Sequence, residues 1–159
     1  GATFTQADFI GVTFAWTNFI GVTFAWADFS EAKFTQASFS EATFTERADF
    51  FEATFTETDF SETTFVQANF SRATFTQGAD FSGAIFHSEP SFTNVLGKAR
   101  FSHKVAPESY SFGVDPDSPC KIEIEEQEHN GTKFIIPKGT ILFDPDELSE
   151  QEDNNSNDS

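Results

Sequence analysis

Phenylalanine recurs at every fifth residue along the first two thirds of this chain. The series runs from position 4 to 44, resumes from 50 to 75, and ends at 81, 86 and 92. A period of five matches neither the 3.6-residue period of an α-helix nor the two-residue period of a strand. The predicted core consists of eighteen residues: Phe4, Phe9, Phe14, Phe19, Phe24, Phe29, Phe34, Phe39, Phe44, Phe50, Phe55, Phe60, Phe65, Phe70, Phe75, Phe81, Phe86 and Phe92.

A small or compact residue lies two positions before each of these phenylalanines. It is alanine at twelve of the eighteen sites, and valine, threonine or proline at the others. In extended backbone, residues two apart point to the same side. Each five-residue unit therefore turns one small and one aromatic side chain inward, and the chain must turn once per unit. Such a chain is a solenoid whose neighbouring coils pair like strands, about 4.8 Å apart.

Three units are one residue longer than the rest. We place the additional residues at Arg47, Gly78 and Glu89 and interpret each as a β-bulge, which leaves the inward positions in phase.

The unit Ala-Asp-Phe-Ser-Glu, found at residues 27–31, resembles the repeat of the pentapeptide-repeat proteins. The resemblance covers residues 1–94. It implies an all-β fold, a right-handed quadrilateral β-helix with four units per coil and the central Phe filling the interior. Residues one coil apart should then stack in four columns that precede the phenylalanines: Thr3, Thr23, Thr43 and Thr64; Asp8, Asp28, Asp49 and Asn69; Thr13, Lys33, Thr54 and Thr74; Asn18, Ser38, Asp59 and Asp80.

The repeat decays after Phe92, and three regions follow from this. We assign 1–103 to the β-helix, 104–143 to an irregular segment with a β-hairpin, and 144–159 to a disordered acidic tail. Asn130-Gly131 is a hairpin turn signal between a strand starting at Lys121, with Ile122 and Ile124 on one side, and a strand at 133–136. Residues 141–143 are a candidate third strand. A cap over the open end of the solenoid is the favoured role of the hairpin, and a separate functional module is the alternative.

The charge and the motifs exclude several function classes. A formal net charge of −17 argues against direct binding to nucleic acid or to an anionic membrane, and no apolar run is long enough to span a bilayer. His87, His103, His129 and Cys120 lack metal-ligand spacing. We therefore expect no enzyme, no catalytic residue, no metal and no cofactor. A cytoplasmic location is expected, although the repeat register at Gly1 suggests an incomplete start, so a removed targeting segment stays open.

We expect the function to depend on the outward-facing residues of the solenoid and the partner to be a protein. The sequence leaves the oligomeric state open. The candidate interaction surface combines outward apolar residues with a stacked acidic row: Ile10, Trp16, Ile20, Trp26, Asp8, Asp28, Asp49, Glu31 and Glu52. The two tryptophans should lie on opposite faces. Packing against upstream coils or a missing cap is the other interpretation of these apolar side chains.

Three functions stay open from the sequence. The first is a rigid acidic scaffold for protein interactions. The second is implied by the resemblance, because the quinolone-resistance members of the family mimic DNA and occupy the DNA site of a type II topoisomerase such as DNA gyrase. Residues 1–99 carry 12 acids and four bases, fewer net charges than the roughly 13 of duplex DNA of the same length. The third is a structural segment of a larger protein.

Overall fold

The computed structural model describes residues 2–147, and almost all of its regular structure is β. None of the helices it describes has the length and apolar character needed to cross a membrane. A 3-10 helix occupies Pro107–Ser109. The strands are β1 (Thr3–Phe4), β2 (Ala7–Asp8), β3 (Thr13–Ala15), β4 (Thr23–Phe24), β5 (Ala27–Asp28), β6 (Lys33–Thr35), β7 (Thr43–Asp49), β8 (Thr54–Thr56), β9 (Thr58–Asp59), β10 (Thr64–Asn69), β11 (Thr74–Phe75), β12 (Ala79–Asp80), β13 (Ile85–Phe86), β14 (Thr93–Asn94), β15 (Gly97–Lys98), β16 (Arg100–Ser102), β17 (Tyr110–Ser111), β18 (Ile124–His129), β19 (Thr132–Pro137) and β20 (Ile141–Phe143).

The strands of residues 3–86 stack in parallel on four faces, so the chain is a four-sided β-solenoid. On the first face Thr3 pairs with Thr23, Thr23 with Thr43 and Thr43 with Thr64. The aspartate column is paired in the same way on the second face, and the third and fourth columns follow on theirs. The predicted fold and all four predicted columns are confirmed.

The phenylalanine rings fill the interior in two geometries. Rings one coil apart stack nearly parallel, as Phe29, Phe50 and Phe70 do with centroids 5.1 and 5.0 Å apart. Rings on successive faces meet edge to face, as Phe24 and Phe29 do at 5.6 Å and 78°. Both are favoured arrangements of aromatic quadrupoles and add to the free energy of burial.

The core prediction is confirmed from the second coil onward and is incomplete at the first. The ladder residues from Phe19 to Phe92 are buried, most of them completely. Phe9 and Phe14 are partly buried, and Phe4 is 36% exposed, because the first coil has a neighbour on one side only.

Two of the four corners are type II turns. After the second and fourth faces, the amide two residues before the next phenylalanine donates to the carbonyl of the preceding one, as Val12 does to Phe9 and Val22 to Phe19. The third residue of such a turn needs a positive φ, which glycine adopts without strain. Gly11 and Gly21 supply it at φ +70°, whereas Glu31 and Glu52 hold the same position at φ 59°.

The additional residues lie close to, but not all at, the predicted positions. Arg47 pairs with Gln67 while Phe44 pairs with Phe65, so the first bulge is at Thr45 or Glu46. The Thr56 and Thr76 hydroxyls lie 3.0 Å apart and Thr58 pairs with Ala79, so the second bulge is at Gln77 or Gly78. The third lies within residues 87–90, because Phe65 pairs with Phe86 and Asn69 with Ser91. Strand pairing, which the repeat spacing does not reveal, decides each position.

The aromatic ladder continues beyond Phe92, and Phe112 extends it past the boundary placed at residue 103. Phe101 stacks on Phe75 at 4.6 Å, and Phe112 stacks on Phe81 at 5.8 Å. In the segment expected to be irregular, β17 pairs in parallel with β12. Both rings escaped the five-residue pattern because insertions separate them from Phe92 and from each other.

The C-terminal hairpin forms as predicted, with β18 and β19 joined at Asn130 and Gly131. The side chains of Phe134 and Ile136 are buried in the solenoid core. Ile122 is buried, whereas Ile124, two residues later, is 50% exposed, so the two residues do not share a buried side. Glu125 stays ionised, because the Gly139 amide and then the Gln127 side chain hold the pKa of its carboxyl below the ordinary value.

Three further contacts attach the C-terminal region to the last coil. Strand β20 pairs in parallel with β16 and continues its face of the solenoid. The imidazole rings of His103 and His129 stack 3.6 Å apart, and the Tyr110 hydroxyl donates to the Ser102 carbonyl at 2.8 Å. These contacts agree with a capping role. Of the tail predicted at 144–159, residues 148–159 lie outside the described part of the chain.

The substitution Phe39→Asp should prevent folding. Phe39 is fully buried between Phe19 and Phe60, both at 5.0 Å, so a carboxylate there has neither water nor a partner. Phe51→Asp is the matched control, because Phe51 is a half-buried corner residue outside the ladder, and it should cost about 1 kcal/mol or less. Circular dichroism and urea unfolding make the comparison. A cooperative, near-native Phe39→Asp protein contradicts the inward ladder.

Thr58→Val should stabilise the protein by about 1–2 kcal/mol. Thr58 Oγ1 is buried at a small-residue position and, among the described side chains, is the buried polar atom without a hydrogen-bond partner. Valine keeps the volume and removes the hydroxyl. Thr63→Val is the matched control: Thr63 Oγ1 donates to the Phe39 carbonyl at 2.7 Å, and its loss should destabilise by about 0.5–1.5 kcal/mol. Thermal melts of both variants test the difference in sign.

Candidate interaction surface

The acidic row on the second face is a stack of aspartates one coil apart. Asp8 pairs with Asp28 and Asp28 with Asp49 along the strands. Each side chain folds over the adjoining corner and accepts a hydrogen bond from the amide two residues later, at 3.2, 3.0 and 3.0 Å. One oxygen of each carboxylate therefore stabilises the turn. The other oxygen of Asp8 and of Asp28 is available to a partner, whereas that of Asp49 is bonded to Arg47.

Two arginines neutralise part of this surface. Arg47 Nη2 lies 3.2 Å from Asp49 Oδ2, and Arg72 Nη1 lies 3.1 Å from Glu52 Oε1. Among the described residues, neither Asp8 nor Asp28 forms an ion pair. The unneutralised part of the row is therefore its N-terminal half.

Trp26 and the aspartate row line the same groove. The groove encloses about 410 Å³ between the second face and the corner that precedes it. Trp26 occupies the outward position of that corner and is 48% exposed. The equivalent residue one coil later is Arg47, because both directly precede paired alanines. The lining residues are Gln6, Ala7, Asp8, Trp26, Ala27, Asp28, Arg47 and Asp49.

The other predicted apolar residues are exposed but lie on different corners. Ile10 is 51% exposed, and its amide donates to Asp8, so it is close to the acidic row. Trp16, 75% exposed, follows the third face, and Ile20, 52% exposed, follows the fourth. The candidate set is therefore not a single surface. One group is the Trp26 groove, with Ile10, Glu31 and Glu52 lying along the next corner. Trp16 and Ile20 are isolated apolar residues on two other corners.

Sequence comparison agrees with the solenoid geometry. Two family models described as pentapeptide repeats match the chain, one at residues 1–24 and the other at 19–64 and 50–96. The chain belongs to the pentapeptide-repeat family. No curated protein matches it.

Three of the solved structures that the chain matches are the following. A pentapeptide repeat protein from the Arabidopsis thaliana thylakoid lumen is 25% identical, with a TM-score of 0.44 over 71% of this chain and 86% of that one. HetL, a pentapeptide repeat protein involved in heterocyst differentiation regulation in Nostoc sp., is 12% identical, with a TM-score of 0.27 over 65% and 53%. QnrB1, a plasmid-mediated fluoroquinolone resistance protein, is 17% identical, with a TM-score of 0.21 over 96% and 87%.

No metal-binding cluster of three or more His, Cys, Asp or Glu residues occurs within residues 2–147 of this pentapeptide-repeat protein. His103 and His129 face each other through their ring planes rather than converging their nitrogens on one point. Burial raises the pKa of the Tyr110 hydroxyl, which keeps it protonated as a hydrogen-bond donor to Ser102. His103, His129 and Tyr110 thus contact other groups of the fold and do not form a ligand site.

Sequence reasoning missed one exposed feature, the hairpin of β14 and β15. Its tip carries Val95 and Leu96, which are 101% and 63% exposed. The signal was present in the sequence as a dipeptide flanked by Asn94 and Gly97, inside the interval between Phe92 and Phe101 where the repeat stops. The sequence alone indicates only decay of the repeat in that interval.

Replacing Asp28 should separate the charge of the row from its structural role. Asp28→Ala removes the acceptor for the Ser30 amide and hydroxyl and should destabilise the protein by about 1 kcal/mol. Asp28→Asn keeps a side-chain oxygen, as Asn18 and Asn69 do at equivalent corners, and should be nearly neutral. Urea unfolding of the two variants makes the comparison. Equal stability of both variants contradicts the turn role.

Proposed function

We propose that this pentapeptide-repeat protein is a non-catalytic scaffold that binds a protein partner in the Trp26 groove. One observation carries the proposal: a half-exposed tryptophan and two unneutralised aspartates line one groove on a rigid solenoid face. Exposed tryptophan is unfavourable in water and is enriched at the energetic centres of protein interfaces.

The chemistry of the groove favours a basic side chain of the partner. Asp8 and Asp28 each keep one carboxylate oxygen outside the turn, and Trp26 offers a ring face to a cation. The chain itself provides an analogue one coil later, where the Arg47 guanidinium bonds Asp49. At the two preceding coils the equivalent corner residues are Gln6 and Trp26, so an arginine or lysine must come from outside.

Photocrosslinking from residue 26 in an extract of the source cells tests this proposal. A partner crosslinked through position 26 should bind the purified wild-type protein, and Trp26→Ser with Asp8→Asn and Asp28→Asn should abolish that binding. Trp16→Ser on the opposite corner is the matched control and should bind as the wild type does. Binding that survives the groove variant, or that Trp16→Ser abolishes, refutes the assignment. The asparagine substitutions keep the turn acceptors, so a loss of binding does not reflect unfolding.

A DNA-mimicking inhibitor or protector of a type II topoisomerase is the second candidate. The observation in its favour is the regular stack of Asp8, Asp28 and Asp49, which places like charges one coil apart along a straight face. Arg47 and Arg72 reduce the charge of that face, which makes the mimicry weaker than the sequence alone suggested. Titration into a DNA gyrase supercoiling assay decides: inhibition or protection that Asp8→Asn with Asp28→Asn removes supports mimicry, and no effect at micromolar protein excludes it.

A further inference from the structure

The β14–β15 hairpin replaces a corner turn of the solenoid. At regular corners of the same edge, two residues separate a ladder phenylalanine from the amide that donates back to its carbonyl, as between Phe9 and Val12. In the fifth coil the same bond runs from the Ala99 amide to the Phe92 carbonyl at 2.8 Å. Six residues, 93–98, therefore occupy a corner that two residues close in the other coils. The insertion therefore projects outward without disturbing the coil beneath it.

The hairpin is held in one conformation by local contacts. Its strands pair Thr93 with Lys98 and Asn94 with Gly97. The Asn94 Oδ1 atom accepts from the Leu96 and Gly97 amides at 2.8 and 3.2 Å. Gly97 lies against the Arg72 side chain, since a Cβ built there would be 2.5 Å from Arg72 Cγ. An ordered tip loses less conformational entropy on binding than a flexible loop.

The tip residues contribute nothing to the core of this chain. Val95 is 101% exposed, the largest value among the exposed large hydrophobic residues that the structure describes, and Leu96 is 63% exposed. Burying an aliphatic side chain of this size stabilises a complex by about 1.5–3 kcal/mol. Two adjacent aliphatic side chains on a rigid projection form an apolar contact suited to aliphatic or aromatic side chains of another protein.

The base of the hairpin is a positively charged site on an acidic molecule. Arg72, Lys98 and Arg100 line one groove of about 320 Å³ together with Glu52 and Ile141. Glu52 pairs with Arg72, which leaves two positive charges in excess. Burial and then the charge of Arg72 lower the pKa of Arg100, so the two guanidinium groups are close enough to repel. A carboxylate from a partner relieves that repulsion.

We propose that the β14–β15 hairpin is a second docking element, which binds a partner segment that carries acidic residues beside aliphatic or aromatic side chains. Val95 and Leu96 form the apolar contact, and Lys98 with Arg100 binds the carboxylates at its base. Charge complementarity selects this partner class, because Arg72, Lys98 and Arg100 line one groove of a protein whose formal net charge is −17. The proposal does not depend on the Trp26 groove, which lies near the other end of the solenoid.

Selection of short random peptides displayed on phage tests the proposal with the full chain. The library is first depleted on Val95→Ser with Leu96→Ser and then selected on the wild-type protein. The depletion removes peptides that bind any other surface, including the acidic row. Enriched peptides should carry Asp or Glu beside an aliphatic or aromatic residue. Recovery of no peptide after depletion, or of neutral or basic peptides, overturns the proposal.

Affinity measurements by fluorescence polarisation on the best peptide supply the second arm. The affinity of the Val95→Ser with Leu96→Ser variant should be about tenfold or more below that of the wild type. Lys98→Glu should also lower the affinity, and its loss relative to the wild type should grow as the salt concentration falls. Trp26→Ser is the control and should leave the affinity unchanged, which separates this element from the groove. The tip variants should melt as the wild type does, because both side chains lie outside the core. Unchanged affinity in the tip variant or in Lys98→Glu contradicts the assignment.

Discussion

The parallel stacking of one phenylalanine ring on the next sets the geometry of the whole molecule. Rings one coil apart lie about 5 Å from centroid to centroid, as Phe44 and Phe65 do at 5.0 Å, which is close to the spacing of paired strands. Aromatic contact and backbone hydrogen bonding therefore require the same rise per coil. Because the two requirements coincide, one residue type can fill the interior without the mixed side-chain shapes that a globular core needs.

This coincidence explains where the chain accepts irregularity. An additional residue at a bulge, such as that between Phe44 and Arg47, changes the outline of one face but leaves the rings above and below in contact. Larger insertions before Phe101 and Phe112 are tolerated for the same reason, since each chain segment returns to place a ring on the existing stack. The interior is less tolerant of a polar group. The Thr58 hydroxyl is buried without a hydrogen-bond partner, at a position that the other coils fill mainly with alanine.

The sequence was sufficient for the parts of the structure that repeat. The period of five predicted the inward rings, and the four units per coil that the family resemblance implies then predicted the four outward columns. It could not locate each bulge, since strand pairing decides which residue is left out of the ladder. Phe101, although inside the predicted β-helix, and Phe112 were left out of the predicted core because insertions interrupt their spacing. The spacing also predicted that Trp16 and Trp26 lie on opposite faces, but it did not show that only Trp26 lines a groove beside the aspartates.

The closed hydrogen bond beneath the β14–β15 hairpin makes the corner of the solenoid a natural attachment point. The Phe92 carbonyl and Ala99 amide meet at 2.8 Å, as the two ends of a short turn do elsewhere on that edge. The coil therefore requires only that the phenylalanine carbonyl and the returning amide lie within hydrogen-bond distance, and it tolerates different lengths of chain between them. A foreign loop whose ends meet at that distance could be grafted at Gly11 or Glu31 of the same edge. Because the corners of one edge repeat once per coil, recognition loops grafted at them would be spaced along the solenoid at multiples of the rise per coil.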